Sequence, residues 1–373
     1  MADSETGLPE VAKVLEGYPR YQIVKVLGSG TFGTVVLAND QERDGERIAV
    51  KLVEINDRVP KYVWREIENH RQLLKHPHII EFYDVFKPVE GRVAISMEYA
   101  DGGNLFQYVR KLRRLEEELA RWLFQMLILA VDYCHRKGVV SRDIKLENIL
   151  LKKSTFLPVV KLCDFGFSKN VNIHSIPRSK VGSLDYMAPE VVDARGRIEY
   201  DAKKSDVWSC GVVLYVMLTG MYPFEGGMRG APQDKRKDDV IRRIRRIEYT
   251  VPNHVSMDAR DLIEQCLTDS EHRISMAEIV QHPWFMKNFP EEARTMNATI
   301  LADQEAAAAG EEPSGGSISY NWSLDPRRQR DIMDPEWYEP MIDEELKNDH
   351  DDGVDVLAAD LKNQQIRGNP GNH

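Results

Sequence analysis

Arg142-Asp143-Ile144-Lys145-Leu146-Glu147-Asn148, with Asp164-Phe165-Gly166 beginning 21 residues after Asp143, brings three carboxylates, a lysine and an amide into one short span. Asn148 and Asp164 offer the hard oxygens that Mg2+ prefers, and a lysine two residues past an aspartate suits a phosphate. Ala188-Pro189-Glu190 lies 24 residues beyond Asp164. Toward the N-terminus, Gly28-Ser29-Gly30-Thr31-Phe32-Gly33-Thr34-Val35 places glycines at 28, 30 and 33. Such spacing lets a strand–turn–strand lie close over phosphates with its N–H groups facing anionic oxygens. The run opens a β-hairpin rather than a helix, which argues against a dinucleotide fingerprint. In Ala49-Val50-Lys51 a lysine emerges from an apolar strand. A cation so placed has to meet negative charge, and phosphate is the natural partner.

At 373 residues, 42% of them apolar, the chain suits a large two-lobed unit plus an extension. Cys134, Cys163, Cys210 and Cys266 lie in apolar stretches without metal-ligand spacing, as expected of thiols in a reducing compartment. No stretch approaches a membrane span, and the acidic opening has no apolar signal core. A soluble protein of the cytoplasm and/or nucleus is expected, without membrane partners. From Glu291 onward there are 19 acidic and 7 basic residues, a net −12 against −10 for the whole chain, so the acidity belongs to the tail. The basic run from Lys235 to Arg246 has no interleaved aromatics. It reads as a solvated helix, and nucleic acid is not an expected partner.

Between Tyr21 and Tyr99, β-type runs dominate: 21–27, 34–39, 47–53, 79–86 and 92–98. One helix interrupts them, with Val63, Ile67, His70 and Leu74 on a single face. After Gly102-Gly103 the pattern becomes helical, with long helices over 119–135, 205–218 and 257–267 and short hairpin strands around Val139, Ile149 and Lys161. Past His282-Pro283-Trp284-Phe285 an Ala/Glu stretch leads to a Gly/Ser linker at 310–319 and then to an acidic run.

The ordered series resembles the signature set of the eukaryotic protein kinases over roughly residues 21–290. That resemblance implies a bilobal α+β fold: a leader (1–20), an antiparallel-sheet N-lobe with one helix (21–100), a mostly helical C-lobe (101–290) and an acidic regulatory tail (291–373). It implies transfer of the γ-phosphate of ATP to Ser/Thr of protein substrates, with Mg2+ on Asn148 and Asp164. Asp143 would orient the substrate hydroxyl, while Lys145 and Lys51 would meet phosphates and Glu66 would pair with Lys51. Leu27, Gly28, Gly30, Gly33, Val35, Ala49 and Leu150 would enclose the nucleotide. Met97 would guard the back of the pocket, and Glu98 and Ala100 would offer backbone hydrogen bonds. Glu190 with Arg273 resembles a buried ion pair behind the activation loop, and Asp206 would hold the catalytic loop.

Arg65–Arg71, Met97–Gly103, Lys145–Asn148, Asp206–Val212 and Tyr222–Glu225 are similar to the osmotic-stress and abscisic-acid-responsive subfamily of plant sucrose-non-fermenting-related kinases. Stress signalling, activation by an upstream kinase and a tail that contacts a regulatory phosphatase are what this implies. Three departures stand out. Ser141 replaces the histidine that precedes Arg142 in the family and packs in a column with His70, Phe82 and Phe165. Asn104 replaces a glutamate that reads upstream arginine, although Glu147 is kept. In the activation loop Lys180 replaces a threonine, while Ser175 and Ser179 stand at phosphorylatable positions, and Arg142 is a cation that phosphate there would neutralise. Ser183 stands where the family hydrogen-bonds the catalytic aspartate. The alternative is a nucleotide-binding pseudokinase scaffold that signals through its tail.

Overall fold

The computed structural model describes residues 13–15, 17–30, 33–54, 61–73, 75–88, 91–154, 157–164, 169–170, 181–194, 200–225 and 233–310. The described chain divides into two compact units: residues up to 54 with 82–99, and 61–81 with 100–310.

In the first unit, five strands make one antiparallel sheet: β1 (Tyr21–Gly30), β2 (Gly33–Asp40), β3 (Glu46–Glu54), β4 (Phe82–Phe86) and β5 (Arg92–Glu98), in the order β1-β2-β3-β5-β4. The register sets Val35 opposite Lys51 and Ala49 opposite Met97. Directly opposed residues share a face, as do residues two apart, so these four side chains lie on one side of the sheet. Val36, Ala38, Ile48, Val50, Leu52 and Ala94 lie on the other, in a buried cluster with Val14, Leu15 and Tyr21. Part of the stretch read as a leader therefore belongs to this core, and Tyr18 packs on Phe86 beside it. The run expected over 79–86 is a strand only from Phe82. Ile79 and Ile80 instead pair with Leu162 of the second unit's chain segment, with Ile80 N–H donating to Leu162 O at 3.0 Å.

Asp40 ends β2 with no exposed surface. Arg20 grips it through Nε to Oδ1 and Nη2 to Oδ2, both 2.8 Å, and the Glu42 N–H adds a 3.0 Å bond. Those bonds, the Arg20 pair first, hold its carboxyl below the ordinary carboxylate range.

The second unit holds ten helices among the described residues: α1 (Lys61–Gln72), α2 (Leu105–Leu112), α3 (Glu117–Arg136), α4 (Pro189–Ala194), α5 (Ala202–Thr219), α6 (Gln233–Arg246), α7 (Met257–Cys266), α8 (Met276–Ile279), α9 (Pro283–Met286) and α10 (Glu291–Ala309). Two short ladders accompany them: β6 (Val139–Val140) with β9 (Lys169–Asn170), and β7 (Ile149–Lys152) with β8 (Val159–Leu162). Helices α3 and α5 are buried on nearly every side, which is why their sequences are apolar all round rather than striped. The Ala/Glu stretch that precedes the expected 310–319 linker is helical to residue 309. It forms α10, which buries Ala293, Met296, Asn297 and Ile300 and ends at Gly310 with φ 77. No described helix is long and apolar enough to cross a membrane.

Replacing Arg20 by alanine leaves the Asp40 carboxylate buried without its cation, and should cost about 3 kcal/mol of stability in urea unfolding at pH 7. Because the folded carboxyl titrates below its unfolded value, this contribution is present at neutral pH and fades as pH falls through the folded value. The wild-type and Arg20→Ala unfolding free energies should therefore converge in acid.

Candidate active site

The catalytic stretch hangs on one buried carboxylate. Asp206 of α5, 1% exposed, accepts the backbone N–H groups of Ser141 (3.0 Å, Oδ2) and Arg142 (2.9 Å, Oδ1) and the His135 Nε2 at the end of α3 (2.8 Å). Several donors offset the desolvation of a charge this deep. They also hold Arg142 at φ 60, a left-handed conformation that costs an ordinary residue about 1 kcal/mol. Ser141 itself is buried, its side chain only 2% exposed.

Beyond that turn, Lys145 Nζ donates to Asp143 Oδ2 at 2.8 Å. Asn148 Nδ2 donates to the Asp143 backbone O and to its Oδ2, each at 2.9 Å. Burial pushes the Asp143 carboxyl above its ordinary range and the charge of Asp164 adds to this, while Lys145 opposes both. The Asn148 bonds use only the amide NH2, so its carbonyl oxygen remains the hard donor of that side chain. Asp164 follows β8 at φ 65, and the intervening Cys163 N–H donates to Asn148 O at 3.0 Å. No group of three His, Cys, Asp or Glu that would cage a metal occurs among the described residues. One amide oxygen plus one carboxylate fits Mg2+, which keeps water and takes substrate phosphate for its remaining positions.

In the same unit, Arg273 makes two bonds to Glu190 (2.5 and 3.0 Å) and two to Thr268 O (2.9 and 3.2 Å), with its guanidinium over Trp208. Tyr186 is held by Ser209 Oγ at its backbone O (2.9 Å). Its hydroxyl meets Tyr222 OH at 3.0 Å and receives the Leu146 N–H at 3.3 Å. Glu147 lies beside it, 3.5 Å from the hydroxyl. Burial, together with the charges of Glu225 and Glu147, pushes Asp185 up to about 7. Asn104 caps α2: its side chain accepts Gln107 N–H at 2.9 Å and Gln107 returns a bond to its backbone N–H.

The first unit carries the other expected residues. Val35, Ala49, half-buried Lys51 and Met97 share the sheet face described above, and Leu27 on β1 is 38% exposed. Gly33 has φ +119, and a Cβ there would collide with Leu52 O, so the fold itself requires glycine. At Gly28 a Cβ would meet nothing within 4 Å. The described packing around Gly28 does not itself demand glycine. Gly30 pairs with Gly33 at the hairpin end, and Glu98 closes β5, both in this unit. Ala100 and Leu150 belong to the second unit, Leu150 on β7 opposite Lys161. Glu66 lies on α1. Its side chain, those of 181–183, and Phe165, Gly166, Ser175, Ser179 and the chain beyond 310 lie outside the described residues.

His135, Tyr186 and Asp185 were not singled out from the sequence, because their roles come from partners distant in the chain. Asn104 was read only as a missing charge, although Asn-x-x-Gln before an apolar run is a capping-box signature. Asp185 binds its proton more tightly folded than unfolded, so wild-type stability falls as pH rises from about 4 to 7. Asp185→Asn lacks this term. Between pH 5 and pH 8 the wild type should lose about 2–3 kcal/mol relative to Asp185→Asn in denaturant titrations.

The protein kinase domain family model matches residues 21–285. Serine/threonine-protein kinase SAPK3 of Oryza sativa subsp. indica is 46% identical over 292 residues, covering 77% of this chain and 84% of its own. SRK2H of Arabidopsis thaliana is 46% identical over 277 residues (73% and 74%), and SAPK9 of Oryza sativa subsp. japonica 46% over 298 (79% and 77%). These relatives give the scaffold alternative no support. With its matched domain and these relatives, the chain belongs to the protein kinase family and is an ATP- and Mg2+-dependent protein serine/threonine kinase.

Proposed function

We propose that Asp143 orients the serine or threonine hydroxyl of a protein substrate, and that the arrangement of Lys145 and Asn148 around its carboxylate is the observation that carries this reading. Both donors bind Oδ2, which points the other oxygen of Asp143 to the incoming hydroxyl. Lys145 lies where it also neutralises charge on the group being transferred. Lys51 meets the nucleotide phosphates, and Gly28, Gly30 and Gly33 let the hairpin backbone approach them. Asn148 and Asp164 would hold Mg2+, which would supply neutralisation of phosphate charge. Leu27, Val35, Ala49, Met97, Glu98, Ala100 and Leu150 shape the base pocket, and Glu66 orients Lys51.

Substrates carry a basic residue upstream of the target hydroxyl. Glu147, Asp185 and Glu225 gather in the second unit, where burial, with the charges of Glu225 and Glu147 added, holds a proton on Asp185 near neutrality. An arginine or lysine side chain relieves that crowding where water does not. Phosphorylation of Ser179, with Ser175 as an auxiliary site, by an upstream kinase switches the enzyme on through Arg142. The enzyme works in stress signalling in the cytoplasm and/or nucleus, and its acidic tail contacts a regulatory phosphatase.

Turnover on serine peptides with and without an upstream arginine tests this. Asp143→Asn should lower kcat by at least about 100-fold. Arginine-containing peptides should show the lower KM, and Glu147→Gln should erase that preference. Ser141→His should accelerate turnover by restoring a packed ring. Full activity in Asp143→Asn would sink the catalytic assignment, and full activity in Ser179→Ala the switch.

A further inference from the structure

Helix α10 lies beyond the family-matched residues, yet one of its side chains enters the interior of the catalytic unit. Asn297 is 5% exposed. Its Nδ2 donates to Leu129 O (2.9 Å) and to Asp132 Oδ2 (2.8 Å) on α3, and its Oδ1 meets His76 Nε2 at 3.0 Å. His76, 2% exposed, stacks on Tyr133 with centroids 4.6 Å apart, and Tyr133 OH meets Gln304 of α10 at 3.0 Å. The backbone N–H of His78 donates to His76 Nδ1 at 3.1 Å, so the proton sits on Nε2 and the ring donates to Asn297. Burial lowers His76 to about 4, which keeps the ring neutral near pH 7.

From His78 the bonding continues through backbone. Its carbonyl accepts Leu162 N–H at 2.9 Å, and Ile80 N–H donates to Leu162 O at 3.0 Å. Its ring Nδ1 meets Val160 O at 3.3 Å. Leu162 ends β8, two residues before Asp164. On the other side, His70 of α1 bonds Ile80 O through Nε2 at 2.6 Å. One continuous set of buried hydrogen bonds thus runs from α10, through the turn at 76–80, to the strand that presents Asp164.

We infer that Asn297 is a positioning residue for phosphoryl transfer: through His76 it fixes the turn that pairs with Leu162, and so sets where Asp164 is held. This rests on Asp164 serving as a metal ligand. Asn297 satisfies three partners at once, on two segments distant in sequence. An apolar residue of equal size would fill the space but leave the His76 N–H without a partner and strip Leu129 O of its second donor.

Asn297→Leu in the full chain tests it, with nucleotide-free hydrogen exchange as the primary readout. Exchange at the Ile80 and Leu162 amides should rise about tenfold, because a lost buried hydrogen bond lowers the opening barrier of the turn. kcat should fall about tenfold with peptide KM changed less than twofold, and half-maximal activity should need more Mg2+. The swap Asn297→Asp with Asp132→Asn, which restores a carboxylate–amide pair, should recover more activity than Asn297→Asp alone. Should Asn297→Leu fail to fold, Asn297→Ser carries the same comparison. Faster exchange confined to α10, with kcat and Mg2+ dependence unchanged, would overturn the inference. An active Asp164→Asn enzyme would overturn the metal assignment instead, whatever the exchange data give.

Discussion

The geometry of the catalytic unit depends on the Asp206 carboxylate being buried and charged. A carboxylate so deep is tolerable only when its oxygens are filled, and the structure fills them with two loop amides and a histidine ring. The arrangement works in both directions. The amides stabilise the charge, and the charge forces Arg142 into a left-handed turn that an unaided chain would avoid. Placing Asp143, Lys145 and Asn148 within hydrogen-bonding distance of one another is the result. The catalytic group is thus positioned by the desolvation cost of an aspartate 63 residues away in sequence.

Much of this was legible in the sequence, for definite reasons. Strands β1, β2, β3 and β5 announce themselves through β-type runs that the structure forms as strands of one sheet. Helices α3 and α5 were found from length and apolarity alone, with ends within three residues of those observed. Reactive groups at fixed short spacing, such as Asp143, Lys145 and Asn148, are local by nature and are therefore readable.

What escaped has long-range causes. Nothing near His76 names Asn297, which is 221 positions away, and nothing near His135 names Asp206. Ile79 and Ile80 have the composition of a strand, but they pair with Leu162 and leave the five-stranded sheet to begin at Phe82. The alanine-rich stretch of α10 was given no element, because only four of its side chains are buried and they mark no broad apolar stripe. Tertiary packing decides such stretches, and propensity alone does not separate them from spacers.

The cap on α2 has an evolutionary corollary. Asn104 was noted for the charge it lacks, but its side-chain oxygen does folding work by receiving the Gln107 amide. Aspartate accepts that bond equally well and favours the positive end of a helix. A single-nucleotide change in the codon for asparagine yields aspartate. Charge at the mouth of α2 is therefore one neutral step away in folding terms, whereas a longer glutamate would have to forgo the cap. A lineage under pressure to tighten its hold on basic sequences would find its first move already compatible with the fold.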